Sequence, residues 1–486
     1  MDVFRIHPAV GIARIGNSED FIIAPETMAG SPETNKLMGG LPIRAGTLSD
    51  PVRSGDLRDA HGALKRQAAR FRIFKYSGLA GESWPRGDGS EVTIGAHVGG
   101  KIVKDIIWTV HVANKKANTF VLVEDGPYQA IVSYEEGRLP PIRNPSISDP
   151  NAKQPPDGEK LPVLNNPQRV RELTIDPGPR AISGKSTPGV RFDKNTVAAY
   201  YNVAQSRIVT LDHYPKSFPA DTFPQMDAPS GPIDTLGELR TDAEGRLLVL
   251  GGYGRAAGWK IGGAMPPLPH DVNNNQWFDD TSDGPVSATL VFEDDSLTVA
   301  QGAWVTTTDP SFAPQIKNVV SCWDDIYDCW VRELGLAPDI FDRDRGGYQV
   351  SYKPTFDDQL APIFHSSALQ QWVVNLDTTG SSAHSAVALI KATDDPSTTI
   401  LQGTVYFRDP NDQKQYSDLS LMPFHLGDVY QPLLALRKTQ YFFLQRWARD
   451  SEILVQATGL HLARASVSTR RPSSTASAAA SVRAST

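Results

Sequence analysis

Asp271-Val-Asn-Asn-Asn-Gln-Trp-Phe-Asp-Asp-Thr-Ser-Asp-Gly-Pro-Val286 is the densest run of carboxylate, amide and turn-forming side chains in the chain. It lies between two apolar runs of strand length, Leu247-Leu-Val-Leu-Gly-Gly252 and Val286-Ser-Ala-Thr-Leu-Val-Phe292. Branched residues at that length predict strands, and the Asx side chains with Gly284-Pro285 predict a long connection joining them. Asp279, Asp280 and Asp283 offer the hard oxygen ligands that calcium selects. An EF-hand register begun at Asp271 places Asn273 and Asn275 well, but it puts Gln276 at the sharp-turn glycine and Ser282 at the bidentate glutamate. The expectation is that these side chains accept hydrogen bonds from nearby backbone amides. A calcium-stabilised adhesion or hydrolase-like domain is the alternative.

Upstream, Leu236 to Gly252 reads as a hairpin turning at Asp242-Ala-Glu-Gly245, which delivers the chain to this connection. Further strands are predicted within Leu64–Tyr76, Glu91–Ile94, Ile106–Val112 and Phe120–Val123. In the first of these the alternation of apolar and polar residues is imperfect, as expected where both faces are covered. Gly11 and Gly16 follow a short apolar pattern but lack the G-x-G-x-x-G spacing of a dinucleotide site. Residues 127–171 are rich in Pro, Asn and Lys without periodicity and read as a long surface excursion.

Beyond Ala303–Thr306 the period changes from two to that of a helix. Helical spacing starts near Val319, returns at Phe356–Phe364 and Leu369–Val374, and is strongest in Leu436–Trp447, with Leu436, Tyr441, Leu444 and Trp447 toward a core. The fold class is therefore α+β: a strand-rich domain over residues 1–315, a smaller, more helical domain over 316–455, and a tail at 463–486. That tail carries no acid and no large apolar residue, so it is expected to stay disordered.

The 486 residues, with 40% apolar content, suffice for a large core and place the chain among ordinary globular proteins. A net charge of -7 and a pI near 5.8 argue against nucleic acid as a partner. No secretory signal and no apolar run of about 20 residues is visible, so the reading is a cytoplasmic protein, or one exported without a classical signal, with no membrane partner. The two cysteines, Cys322 and Cys329, fall in one helical pattern about 10 Å apart along the axis, too far for a disulfide. They are expected reduced and packed.

Two positions could carry acid–base chemistry. Trp108, Val110 and Val112 alternate, which puts Thr109 and His111 on the opposite face beside Asn114-Lys-Lys116. An imidazole there could act as a general base or be a structural histidine. His425 and Asp428 are three apart and could pair if helical, or serve as a packed histidine and a capping aspartate.

Several blocks, in order, resemble the L-lysine epsilon-oxidase and glycine oxidase family. They are His7-Pro-Ala-Val-Gly-Ile-Ala-Arg-Ile-Gly-Asn17, Lys65-Arg-Gln-Ala-Ala-Arg-Phe-Arg-Ile73, Trp108-Thr-Val-His-Val-Ala-Asn-Lys-Lys-Ala117, Ile175-Asp-Pro-Gly-Pro-Arg180, Gly237-Glu-Leu-Arg-Thr-Asp242 and Asp279-Asp-Thr-Ser-Asp-Gly-Pro-Val286. Pro354-Thr-Phe356, Leu369–Asn375 and Met422-Pro with Gly427-Asp428 extend the likeness to about residue 450. The resemblance implies oxidative deamination of a primary amine of an amino acid, with oxygen as acceptor and ammonia and hydrogen peroxide as products. It implies a cysteine tryptophylquinone cofactor made from the protein's own side chains, an aspartate that assists its formation, best matched by Asp428, and a flavoprotein partner for maturation. A homo-oligomer is also compatible with it. No cysteine follows Asp428 in this chain, and an Ala/Ser/Arg-rich tail stands where the family brings the quinone's tryptophan. The expectation is therefore a relative whose C-terminal part is missing or replaced and in which the quinone does not form at the family's positions. A non-catalytic relative acting as a binding or scaffold protein is the alternative function.

Overall fold

The computed structural model describes residues 2–30, 39–77, 89–115, 174–218, 226–227, 230–259, 277–310, 315–399, 406–417, 421–423 and 434–449. The chain forms two compact units. The first takes residues 1–24, 42–85 and 89–311, and the second takes the remainder.

Ten strands carry the frame of the first unit: β1 (Asp2–His7), β2 (Val10–Arg14), β3 (Arg66–Ser77), β4 (Lys101–Val110), β5 (Arg180–Ile182), β6 (Val190–Asp193), β7 (Thr235–Thr241), β8 (Leu247–Leu250), β9 (Ser282–Phe292) and β10 (Ala303–Thr308). They belong to one sheet ordered β5-β4-β9-β10-β2-β3-β8-β7-β6, with β1 pairing β3. Within that order β2 and β10 run parallel, Val10 opposite Trp304, and their neighbours run antiparallel. One face of the sheet packs a large core that includes Phe71, Trp108, Val110, Leu239, Val249, Leu290 and Val305. The other face of β3 and β8 builds a smaller cluster of Ile23, Ile43, Ala68, Leu248 and Leu250. Every β3 residue from Arg66 to Phe74 is consequently buried, which is why its alternation is blurred: polar side chains on the second face are covered too.

The hairpin of β7 and β8 forms as expected. Gly245 N–H closes the turn on Asp242 O at 3.0 Å, and Gly245 sits at φ +81°, open to glycine at little cost. The acidic connection differs from expectation. Two short strands, Ala256–Trp259 and Trp277–Asp279, pair antiparallel inside it, and β9 already begins at Ser282. Trp277 and Phe278, between the Asn-rich and Asp-rich parts, supply the apolar residues that turn a loop pattern into a strand; Phe278 is 1% exposed. Asp271 to Gln276 lie outside the described residues, as do the strand predicted at Phe120–Val123, the excursion 127–171 and the tail 463–486.

Among the described residues, all α-helices fall in the second unit: α1 (Cys322–Arg332), α2 (Ala361–Leu369), α3 (Thr378–Val387) and α4 (Lys438–Arg449). No helix of the described residues is long and apolar enough to cross a membrane. The stripe Leu436, Tyr441, Leu444 and Trp447 is buried, with Phe364 meeting Trp447 edge to face at 5.1 Å. Helix α1 departs from the expectation that both cysteines are packed: Cys329 is exposed, as is Ile326, and the buried face carries Asp324, Asp328 and Val331. The reason is local hydrogen bonding. Ser321 and Asp324 form a reciprocal N-terminal cap, and Asp328 accepts from the backbone N–H and the hydroxyl of Thr439 at 2.9 and 2.6 Å. Two satisfied carboxylates thus turn the helix, and the cysteines are not both packed.

Candidate functional site

The geometry begins at the end of β4. Trp108, Val110 and Val112 are buried in the first unit's core, and pleating directs Thr109 and His111 to the other side, where both are half-buried. Strand β9 backs this end closely: a Cβ on Gly284 would collide with the His111 carbonyl, so only glycine lets the two backbones approach there.

His111 Nε2 lies 2.8 Å from Asp176 Oδ1. The other oxygen of Asp176 accepts the Tyr214 hydroxyl at 2.9 Å, and the Tyr214 and His111 rings meet edge to face at 6.0 Å. Asp176 also accepts Gly178 N–H at 2.9 Å, and its backbone is held by reciprocal 3.0 Å bonds with Ser217. Burial pushes the Asp176 carboxyl upward, but the His111 hydrogen bond and charge, the Gly178 amide and the Tyr214 hydroxyl outweigh it and hold the group below its ordinary range. Burial and the adjacent Asp176 push Tyr214 well above an ordinary phenol, so the tyrosine stays a neutral donor.

The turn that aims Asp176 is fixed by Arg180, which is fully buried. Its guanidinium donates to the carbonyls of Pro177, Gly178 and Pro179 at 2.9, 3.2 and 3.0 Å and to those of Arg191 and Asp193 at 2.7 Å each. Burial, partly offset by Asp193 and Asp176, lowers its pKa to about 10. Gly178 has φ +82°, and a Cβ there would stand 2.8 Å from both Ala198 Cβ and the Tyr214 ring. Pro-Gly-Pro-Arg is therefore a device for presenting one carboxylate.

The described hydrogen-bond contacts of the His111 ring, to Asp176 at 2.8 Å and to the Tyr214 hydroxyl at 3.5 Å, are both made through Nε2, which leaves the Nδ1 lone pair for chemistry, and the side chain is 31% exposed. That is the arrangement of a base oriented by a carboxylate. Sequence reasoning named His111 but missed Asp176 and Tyr214 as its partners. The signal lay in Asp-Pro-Gly-Pro, a rigid turn directly after an acid; Tyr214 had none. His425 and Asp428 lie outside the described residues. The carboxylates of the acidic connection are engaged in hydrogen bonds. Asp279 accepts from Asn114 and Thr281 N–H at 3.0 Å, Asp283 from Trp304 Nε1 at 3.0 Å and Asp280 from Tyr253 N–H at 2.6 Å. Among the described residues no group of three metal-ligating side chains gathers.

A family model described as L-Lysine epsilon oxidase N-terminal matches residues 7–307, the segment that holds His111, Asp176 and Tyr214. The chain belongs to the L-lysine epsilon-oxidase family. It is 28% identical to L-lysine 6-oxidase of Marinomonas mediterranea, in an alignment covering 91% of this chain and 57% of that protein. Solved structures of the L-Lys epsilon-oxidase from Marinomonas mediterranea match over 96% of this chain and 64% of theirs. The Schiff base intermediate with L-Lys does so at 26% identity and TM-score 0.62, and a second crystal structure at 25% and 0.61. This chain thus spans less than two thirds of the length of these relatives.

For a member of the L-lysine epsilon-oxidase family the described cysteines do not fit a cysteine tryptophylquinone, which needs a sulfur against an indole ring. Cys322 and Cys329 share α1, and the tryptophan that follows each in sequence faces about 100° away on a helix. Those two indoles, Trp323 and Trp330, pack on each other at 6.4 Å, and Cys329 is exposed.

Proposed function

We propose that this protein is an amino-acid oxidase of the L-lysine epsilon-oxidase type, which deaminates a primary amine with oxygen as acceptor and releases ammonia and hydrogen peroxide. In balance, the amine, one O2 and one water give a carbonyl, NH3 and H2O2. The observation that supports this reading is the family match over residues 7–307, inside which a half-buried histidine is held by a half-buried carboxylate. The part of the reaction this chain's described residues serve is proton transfer. His111 Nδ1 takes a proton from the substrate, Asp176 stabilises the imidazolium that results, and Tyr214 keeps Asp176 in place by donating to its second oxygen. Since neither described cysteine fits the quinone, no step is assigned to it. The partners called for are a small amino acid or amine, with a flavoprotein assisting maturation.

A second reading, a non-catalytic relative that binds amines, is favoured by one observation: Cys329 is exposed on a helix whose two indoles, Trp323 and Trp330, pack on each other. Peroxide and ammonia release from a panel of primary amines, L-lysine and glycine included, separates the two. The oxidase reading expects both products in equal amounts and their loss in His111→Asn; amine binding without either product supports the second.

A further inference from the structure

Across the second face of the first unit's sheet, three residues stand in one row. Arg70 on β3 is opposite Leu248 on β8, and Leu248 is opposite Arg240 on β7. Neighbouring strands lie about 4.8 Å apart, so the two arginines flank the leucine with roughly 10 Å between their backbones. Phe21 and Ile23 continue the apolar floor, and above it opens a cleft of about 710 Å³.

The cations of this cleft are unequal. Arg246 is neutralised by Glu91 and Asp242, at 2.7 and 3.2 Å. Arg70 is buried and donates to the carbonyls of Thr47 and Leu48 at 3.1 and 2.6 Å, which fixes its guanidinium beneath the rim. Arg240 lies over the Phe21 ring at 5.3 Å. Its Nη2 donates to Glu238 Oε1 at 2.7 Å, but the same oxygen also takes the fully buried Arg66 at 3.1 Å. One carboxylate oxygen therefore serves two guanidinium groups. Arg240 Nε is buried without a hydrogen-bond partner, which costs free energy in a charged donor unless an acceptor arrives.

We propose that this cleft binds a small monocarboxylate bearing an apolar chain, its carboxylate on Arg240 and its chain over Leu248, Phe21 and Ile23. Guanidinium and carboxylate match as a planar fork, and stacking on Phe21 holds the fork in orientation. Glu244, half-buried in the same lining, repels a second negative charge and so disfavours a dianion such as phosphate.

The test is calorimetric titration of the full chain with hexanoate, inorganic phosphate and hexan-1-ol, a neutral molecule of the same chain length. The expected result is saturable hexanoate binding, with phosphate and hexan-1-ol each binding at least tenfold more weakly. Arg240→Gln should weaken hexanoate at least tenfold. Because Arg240 also touches Glu238, a second variant is used: Leu48→Asp, at a rim residue 54% exposed, should weaken hexanoate at least fivefold with an unchanged melting temperature. No saturable hexanoate binding, phosphate or hexan-1-ol binding as tightly, or hexanoate binding unchanged in both variants would overturn the proposal.

Discussion

The carboxylate of Asp176 is shared between two donors, His111 Nε2 at 2.8 Å on one oxygen and the Tyr214 hydroxyl at 2.9 Å on the other. Both oxygens are thus committed, and the imidazole is left with one nitrogen for chemistry. On the oxidase reading, His111→Asn and Asp176→Asn should each lower kcat by about 10²–10⁴ while leaving far-UV circular dichroism unchanged. A kcat within threefold of wild type in His111→Asn would remove it as the base.

Asp176 also ties stability to pH. Its folded pKa lies below the ordinary value, so its contribution is fully present above the unfolded carboxylate pKa, near 3.9, and is lost as pH falls through the folded value. Thermal melts from pH 7 down to pH 2 should show wild type and Asp176→Asn converging at the acid end. Parallel curves would contradict the assigned direction.

Asp280 behaves in the opposite sense. It is 1% exposed, one of its oxygens lacks a partner, and burial raises its pKa to about 6. Here the folded state holds the proton more tightly, so the group costs little below the unfolded carboxylate value, destabilises increasingly as pH rises from there to about 6, and adds no further cost above it. Asp280→Asn should gain on the order of 3 kcal/mol at pH 8 and much less at pH 4, in urea titrations run at both pH values. Equal effects at the two would show that the carboxylate is already ionised at low pH.

In the second unit, Arg408 is fully buried and donates to the carbonyls of Gln415, Pro423, Leu434 and Leu421 at 2.7 to 3.0 Å. Arg408→Ala strands those acceptors and leaves a cavity, a loss of about 3–5 kcal/mol. Arg408→Lys should recover little of it, because an ammonium cannot reproduce the planar set of donors. Urea midpoints of the three proteins decide this, and full rescue by lysine would contradict the account.

The turn that presents Asp176 depends on Gly178. An added methyl meets Ala198 and Tyr214 at 2.8 Å, at a positive φ, so Gly178→Ala should destabilise by about 1–3 kcal/mol and alter the Tyr214 environment in near-UV circular dichroism. An unchanged near-UV spectrum would show that the turn does not set the tyrosine.

The parts of this fold legible in sequence were those with one dominant local signal. The period-two runs of β4 and β9, the Asp-Ala-Glu-Gly turn and the stripe of α4 each formed. The acidic connection misled because Trp277 and Phe278 are too few to show a period, although burying them makes a strand. Helix α1 misled because Asp324 and Asp328 look like a solvent face, whereas Thr439, over a hundred residues away, satisfies one oxygen of Asp328 in the interior and Arg332 the other. At the candidate site, Trp108, Val110 and Val112 located His111, since burial of one face dictates the other. Asp176 and Tyr214 are 65 and 103 residues from it in sequence, and no local pattern reports a pairing made by β5 docking beside β4.

The central claim, amine oxidation by a member of this family, is tested most directly by stoichiometry. Purified protein is given a primary-amine panel in oxygenated buffer, and hydrogen peroxide and ammonia are counted together. At least one amino acid is expected to yield the two in a one-to-one ratio, and His111→Asn to abolish both while melting like wild type. No peroxide from any amine, with binding retained, would contradict it and leave a chain that recognises amines without oxidising them.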